Sequence, residues 1–198
     1  MRIDPVYVQK SINSAKELAQ QYKLRFVGHD EPQKHIDWLI ELYTVYMKRP
    51  APVILEATDV PYEKSPVYSM AVLKENQNLD IVLASGLNHC WLRFAIAKEV
   101  FHAILDADEF HMSIPSLLES VLIEFPSEDA TASPGTIAEF ITEVGTMEFC
   151  FPYKARLAEL RVQNPDYHAI AQRYRVPRVK VERYLTPEYM RQLASFEG

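Results

Sequence analysis

The sequence predicts an α+β fold in which a small antiparallel or mixed sheet packs on helices. Apolar residues recur at helical spacing at both ends of the chain, whereas the short apolar runs typical of strands are confined to residues 52–85. Strands and helices also do not alternate as they do in a parallel βα sheet. We therefore expect one domain with N-terminal helices (1–50), a core (51–152) and a C-terminal helical subdomain (153–198).

Two amphipathic helices are predicted before residue 50. Asp4 followed by Pro5 is typical of an N-cap with proline in the first turn of a helix. The apolar stripe of this first helix consists of Val8, Ile12, Ala15 and Ala19. The second helix is predicted to begin near Asp30-Glu31-Pro32 and to end at Arg49-Pro50. Its apolar stripe consists of Ile36, Leu39, Ile40, Tyr43 and Met47.

Strand signals follow in three apolar runs: PVILEAT (52–58), VYSMAVLK (67–74) and DIVLAS (80–85). The second and third runs flank ENQNL, which predicts a hairpin or a close antiparallel pair. Helical spacing returns at residues 89–105, and the mixed segment 106–135 contains PSEDATASPGT, which is typical of an exposed loop. Helical spacing dominates again from Ile137 onward. Four prolines interrupt it: Pro152, Pro165, Pro177 and Pro187.

Composition and charge argue against several classes of protein. A net charge of −6 and an isoelectric point near 5.5 disfavour a nucleic-acid binder held by bulk electrostatics. No apolar run is long enough to span a bilayer, and the N-terminus lacks the apolar region of a signal peptide. Cys90 and Cys150 are far apart in the sequence, so we expect free thiols in a reducing compartment. These features favour a cytoplasmic protein that does not bind a membrane.

The stretch RFAIAKEVFHAIL (93–105) carries the residues most typical of chemistry. Positions i and i+4 share one face of a helix, so Lys98 and His102 should point the same way, with Glu99 roughly 100° around the helix. The pattern Lys-Glu-x-x-His differs by one residue from His-Glu-x-x-His. In that motif two histidines bind Zn²⁺ and the glutamate polarises the attacking water.

A larger part of the chain, residues 50–185, resembles the ImmA/IrrE family of zinc endopeptidases, which have a zincin-like fold. RFAIAKEVFHAIL is similar to the family's RFTLAHELGHLLL, and residues 139–152 are similar to its E-x-x-A-N-x-F-A-x-x-L-L-M-P. The tail HAIAQRYRVPRVKVERYL (168–185) is similar to the end of the family's conserved region. The hairpin predicted ahead of residue 93 also fits this family.

The resemblance implies a role for each residue of the motif. Glu99 would be the general base, while His102 would bind the zinc ion. Glu139 and Glu143 are spaced i, i+4 on a predicted helix, and the resemblance makes Glu139 the third ligand. Glu143, one turn later, would orient the first histidine of the motif.

Several positions depart from the family's pattern. Lys98 replaces the first zinc histidine, Phe101 replaces a glycine, and Thr142 and Gly145 stand where alanine and phenylalanine are usual. Lys98 affects the chemistry most, because a protonated lysine has no lone pair for a metal. Its pKa would have to fall by about three units to bind a metal at neutral pH, and the nearby carboxylates act in the opposite direction.

The sequence therefore favours replacement of the metal ion by the ammonium group of Lys98, which would neutralise Glu139 and Glu99 and have His102 as a further hydrogen-bond partner. Such a protein would be a catalytically inactive pseudo-metallopeptidase without a cofactor, acting as a regulatory module that binds a protein partner. Two alternatives remain open. One is an active zinc-dependent endopeptidase whose metal site is completed by another residue. The other is an ordinary amphipathic helix with Lys98 in solvent and no zincin ancestry.

No other histidine is well placed in the sequence to supply the missing ligand. His89 lies about 13 Å from Lys98 along the helix, which is too far. His111 could fold back from residues 106–112, where acidic residues also lie. The remaining histidines have no partner at ligand spacing: His29, His35 and His168.

Residues 166–185 resemble a helix-turn-helix with a turn near Val176-Pro177, and they form the most basic stretch of the chain. A DNA-binding regulator is therefore a further alternative, in which basic side chains of the second helix face the duplex. The candidate contacts are Arg175, Arg178, Lys180 and Arg183. Because the ImmA/IrrE family also has a helical subdomain here, packing is favoured over DNA binding.

Overall fold

The computed structural model describes residues 4–26, 32–46, 53–61, 68–73, 79–105 and 134–196. Within these ranges it has an α+β fold of eight helices and one three-stranded mixed sheet, as the sequence predicts. The helices are α1 (Pro5–Arg25), α2 (Ile36–Tyr46), α3 (His89–Leu105), α4 (Pro134–Cys150), α5 (Tyr153–Leu160), α6 (Tyr167–Tyr174), α7 (Arg178–Tyr184) and α8 (Pro187–Ala194). The strands are β1 (Val53–Pro61), β2 (Ser69–Leu73) and β3 (Leu79–Ser85).

Some predicted features lie outside the described residues. They are the expected helix start at residues 30–31, the end of that helix with Met47 and residues 49–50, His29, and residues 106–133 with His111.

Helix α1 forms as its sequence predicts. Pro5 occupies the first turn, and the side chain of Asp4 accepts a hydrogen bond from the backbone N–H of Val6 at 2.9 Å, which satisfies a donor left free at the helix start. The predicted stripe faces the core, where α1 packs against α4. At this crossing the Ser11 hydroxyl donates to the carbonyl of Ile141 at 2.5 Å.

Helix α2 begins at Ile36, so the prediction of a start near residues 30–32 is wrong. The described residues 32–35 before it are not helical. Arg93 donates to the carbonyl of Lys34, and the N–H of His35 donates to the Tyr22 hydroxyl at 2.8 Å. The apolar stripe of α2 is nevertheless confirmed, with Ile36, Leu39 and Tyr43 buried.

The sheet has the strand order β1-β3-β2. β2 and β3 pair antiparallel, which confirms the predicted pair, whereas β1 runs parallel to β3. The central strand β3 is mostly buried, and β1 at the edge is mostly exposed. The sheet is therefore mixed, and β2 is the edge strand that lies beside α3.

Helices α3 and α4 form the centre of the molecule. α3 spans the predicted residues 89–105 and is almost entirely buried from Phe94 onward. It packs against α2, α4 and the two strands β2 and β3. α4 begins at Pro134, so the prediction that helix starts only at Ile137 is wrong; proline is well suited to the first turn. The two helices thus place residues 93–105 and 139–150 face to face.

Four short helices complete the chain after α4. Each of the four predicted interruptions lies within two residues of a helix start: Pro152, Pro165, Pro177 and Pro187. α6 and α7 form the predicted helix pair. The turn between them begins at Arg175, whose φ of 53° is in the left-handed region. Val181 and Leu185 of this pair are buried, whereas Val179 is exposed.

Two expectations from composition can be compared with the fold. None of the helices in the described parts of the chain is both long and apolar enough to cross a membrane. Cys90 and Cys150 are both free thiols, as expected, and Cys150 is buried.

Candidate functional site

The candidate site lies where the middle of α3 faces α4. α3 contributes Lys98, Glu99 and His102, which are only 6%, 3% and 5% exposed. The solvent-exposed position that the alternative of an ordinary amphipathic helix predicts for Lys98 is therefore wrong. Burying charged side chains in this way is costly unless they have partners of opposite charge or hydrogen bonds.

The ammonium group of Lys98 lies between two carboxylates. Its Nζ is 2.5 Å from Oε2 of Glu139 on α4 and 3.8 Å from Oε1 of Glu99. The same nitrogen is 5.9 Å from the centre of the Tyr68 ring, which is within cation–π range. The structure thus brings Lys98 and the two predicted acids together.

The imidazole of His102 reaches the same carboxylate from its other oxygen. Nε2 of His102 is 2.9 Å from Oε1 of Glu139 and 3.2 Å from Oγ1 of Thr142. Each oxygen of Glu139 therefore has its own partner, with the ammonium group on Oε2 and the imidazole on Oε1. Lys98 and His102 meet through this carboxylate.

The sheet fixes the remaining acid. The hydroxyl of Ser69 on β2 donates to Oε1 of Glu99 at 2.6 Å, and both groups are buried. Sequence reasoning missed Ser69 and Tyr68, because they lie far earlier in the chain and no local motif marks them. Thr142 was marked only as a departure from the resemblance, and its contact with His102 had no signal in the sequence.

The charges in the site stabilise one another. Burial opposes the charge on Lys98, but the carboxylates of Glu99 and Glu139 outweigh burial and raise the pKa of Lys98 above its ordinary value of 10.5. Burial would also raise the pKa of Glu139. The hydrogen bond from His102 and the charge of Lys98 outweigh this effect and lower the pKa of Glu139 to about 2. At neutral pH the site therefore contains an ammonium group paired with a carboxylate.

These side chains do not fit the zinc ion that the resemblance implies. The position of the first zinc histidine holds an ammonium group, which has three hydrogens and no lone pair. Among the residues that the structure describes, no group of three or more His, Cys, Asp or Glu side chains is placed to hold a metal ion. The described groups form an ion-pair network in which Glu139 joins Lys98 to His102.

Glu143 connects the neighbourhood of the site to the C-terminal subdomain. Its Oε2 is 2.5 Å from Nζ of Lys180, and its Oε1 is 3.5 Å from Nη1 of Arg183. Nζ of Lys180 also lies 5.6 Å from the ring centre of Phe94 on α3. These contacts hold α7 against α4. The role in orienting a ligand that the resemblance implies for Glu143 stays a prediction.

The other two candidate DNA contacts lie nearer the surface. Nε of Arg178 is 2.6 Å from Oε1 of Glu182, one turn further along α7. Nε of Arg175 is 2.9 Å from Oε1 of Gln33. The four basic residues therefore do not form one outward-facing set, because the other two point to α4.

Three further histidines have other surroundings. The ring of His35 lies 4.4 Å from that of Trp38, measured between ring centres. Nε2 of His168 is 2.9 Å from Nε2 of Gln172 within α6. His89 is exposed at the start of α3. None of these three positions adds a ligand to the described network.

A comparison with known protein families finds no family model that matches this chain, and a comparison with curated proteins finds no match either.

Proposed function

We propose that this chain is a pseudo-metallopeptidase of the ImmA/IrrE type that acts in the cytoplasm as a regulatory module by binding a protein partner. One observation carries the proposal. The Lys98 ammonium group lies 2.5 Å from Glu139 and 3.8 Å from Glu99, where the resemblance implies a metal ion. Both cysteines are free thiols, which fits a reducing compartment.

The arrangement supports loss of hydrolysis for two reasons. A zincin activates water by binding it to a metal with an open coordination position, and an ammonium group has no such position. The base that would take the proton from this water is Glu99. Its carboxylate instead accepts a hydrogen bond from Ser69 and lies 3.8 Å from the ammonium group of Lys98, so its oxygens face these two groups.

The sheet offers a surface that suits an extended segment of a partner protein. β1 stands at the edge of the described sheet and bonds to β3 on one side. Its exposed side chains include apolar Ile54, Leu55 and Val60. Edge strands accept extended peptides through backbone hydrogen bonds, while alternate side chains provide specificity.

Metal analysis tests the central part of the proposal. Protein purified without chelator is expected to contain no stoichiometric zinc, and its metal content should equal that of the His102→Ala variant. Zinc bound in a one-to-one ratio that disappears in His102→Ala would overturn the proposal. Proteolysis abolished by both chelation and Glu99→Gln would instead support the alternative of an active endopeptidase.

A second experiment tests partner binding at β1. Extended peptides are selected from a displayed random library on the immobilised chain, and their affinities are measured by fluorescence anisotropy. Leu55→Lys is expected to weaken binding about 10-fold, which corresponds to about 1.4 kcal/mol. The matched control is Leu157→Lys on α5, because Leu157 is 37% exposed and Leu55 is 44% exposed. Equal effects of the two variants, or no selected peptide, would remove β1 as the binding surface.

A further inference from the structure

A second group of basic side chains lies where the start of α3 meets the turn between α6 and α7. Nη2 of Arg93 on α3 donates to the backbone carbonyl of Lys34. Nε of Arg175, at the start of the turn, is 2.9 Å from Oε1 of Gln33. Two consecutive residues ahead of α2 thus hold two guanidinium groups that come from different parts of the chain.

His89 belongs to the same group. It precedes Arg93 by one turn of α3, so the two side chains share one face of the helix. Burial lowers the pKa of His89, and the charges of Arg93 and Arg175 lower it further. Burial also lowers the pKa of Arg93, and the charge of Arg175 acts in the same direction. The three basic side chains are therefore close enough to oppose one another's charge.

Among the described residues, neither guanidinium group has a carboxylate partner. Arg93 bonds to a backbone carbonyl and Arg175 to an amide oxygen, and both acceptors are uncharged. Nε of Arg93 is buried without a hydrogen-bond partner in this part of the chain. By contrast, Nη1 of Arg173 is 2.5 Å from Oε1 of Glu159. Unbalanced charges of one sign and an unsatisfied buried donor are unfavourable, and a bound anion would compensate for both.

We infer that Arg93 and Arg175, with His89 beside them, form a binding site for the phosphate group of a ligand. Guanidinium groups present planar pairs of N–H donors that match the oxygens of phosphate and carboxylate groups. Two such groups without an acid favour phosphate, because a phosphate monoester carries about −1.5 to −2 charges at neutral pH and a carboxylate carries a single one. His89 and Arg175 are exposed and Arg93 is half-buried, so a ligand can reach the site from solvent.

The arrangement suits a single phosphate group rather than the backbone of duplex DNA. A duplex needs several cations along one surface. Lys180 and Arg183, which follow Arg175 in the chain, are instead directed to Glu143 on α4. The proposed site is also separate from the network around Glu139, so it does not depend on the fate of a metal there.

Calorimetric titration of the full chain with inorganic phosphate tests the inference. One phosphate is expected to bind per chain. Arg175→Gln should weaken binding about 10-fold, the loss typical of a hydrogen bond between charged groups. The matched control is Arg173→Gln, which removes the same charge from an exposed position two residues away and should leave the affinity unchanged. Failure of the unmodified chain to bind phosphate, or equal losses in the two variants, would overturn the inference.

Two further measurements sharpen this test. Arg93→Gln should also weaken phosphate binding about 10-fold, and Arg175→Gln keeps the inference testable if this half-buried position does not tolerate glutamine. Acetate should bind more weakly than phosphate, and equal affinities would overturn the assignment to phosphate. Titration with O-phosphoserine distinguishes the two sources of the group. Tighter binding of O-phosphoserine through Arg175 would support a phosphorylated protein, and tighter binding of inorganic phosphate would support the free ion.

Discussion

Helix α4 has an acid–base pair in each half, at Glu148 and at Glu139, and the two pairs differ in what they contribute. In the C-terminal half, Glu148 pairs with Arg156 of α5, and both are almost completely buried. The carboxylate of Glu148 also accepts from the backbone N–H of Tyr153 at 3.1 and 3.0 Å. Glu148 therefore satisfies a donor left free at the start of α5, and it fixes the corner between the two helices.

In the N-terminal half, Glu139 contacts side chains of α3 at a helix contact that apolar residues already form. A buried ion pair commonly contributes little to stability compared with apolar residues of similar size, because desolvation costs so much. The pair at Glu148 is explained by the corner that it closes. The described contacts give the pair at Glu139 no such backbone role, and only the proposed function would account for it.

The largest loss of stability is expected when the Glu148–Arg156 pair is broken. Arg156→Leu leaves the Glu148 carboxylate buried without its cation, and it removes a guanidinium group that lies 5.5 Å from the Tyr184 ring centre. The free energy of unfolding should fall by about 4–5 kcal/mol, measured by urea denaturation. Arg178→Leu, which removes an exposed arginine, is the matched control. A loss below about 1 kcal/mol would contradict the structural role.

A smaller loss is expected at the candidate site. Lys98→Met leaves Glu139 and Glu99 buried without a cation, but Glu139 retains the hydrogen bond from His102. We expect a loss of roughly 3 kcal/mol in the free energy of unfolding. In the double variant Lys98→Met/Glu139→Gln most of this loss should be recovered, because the uncompensated charge on Glu139 is gone. If the double variant is less stable than Lys98→Met, the pair has a stabilising role like that of Glu148.

The same comparison predicts how stability depends on pH. Because the pKa of Glu139 falls from 4.5 to about 2 on folding, its contribution is present above pH 4.5 and is lost as the pH falls toward 2. Lys98 has a pKa raised above 10.5, so its contribution is present below pH 10.5 and is lost at higher pH. The acid loss should be on the order of 3 kcal/mol and should be smaller in Lys98→Met. Equal acid loss in both proteins would contradict the pairing.

The sequence predicted these central helices well because their signals are local. The spacing of apolar residues in 89–105 predicted α3, and the i, i+4 relation predicted that Lys98 and His102 share one face of it. The later start of α2 had no local signal, and the described contacts of Lys34 and His35 are with residues distant in the sequence. The contact of Ser69 with Glu99 could not be predicted either, because it depends on how the sheet lies against α3.

Phe101 and Gly145, two positions at which the chain departs from the family's pattern, are neighbours in the structure. A Cβ added to Gly145 on α4 would lie 2.8 Å from Cδ1 of Phe101 on α3 and 2.6 Å from Oγ of Ser11 on α1. The family has the large and the small residue in the opposite places. The phenylalanine on α3 and the glycine on α4 therefore compensate for each other's size at the contact that holds the site.

This compensation predicts a coupled effect on stability. Gly145→Ala should lower the free energy of unfolding by about 1–2 kcal/mol by overpacking, although alanine favours a helix over glycine. In a Phe101→Ala background the same substitution should cost at least about 0.5 kcal/mol less, because the vacated space accepts the methyl group. Thermal and urea denaturation of the four proteins measure this coupling. Equal costs in the two backgrounds would show that the two positions are not coupled.

The smallest loss of stability is expected from substitutions in the basic helix α7. These substitutions distinguish a role in packing from a role in DNA binding. Arg178 is exposed and pairs with Glu182 on the same helix, whereas Lys180 points to Glu143 on α4. Arg178→Ala should therefore change the free energy of unfolding by no more than about 0.5 kcal/mol. It should also leave the chain without measurable affinity for duplex DNA at low salt, as in the unmodified protein. Salt-dependent duplex binding that weakens in Arg178→Ala would support the DNA-binding alternative.

Lys180→Ala should destabilise the fold more than Arg178→Ala does, because it removes a partly buried partner of Glu143. Lys180 would then resemble Glu148, because the fold requires its contact. Arg178 would resemble Glu139, because the fold does not require its contact.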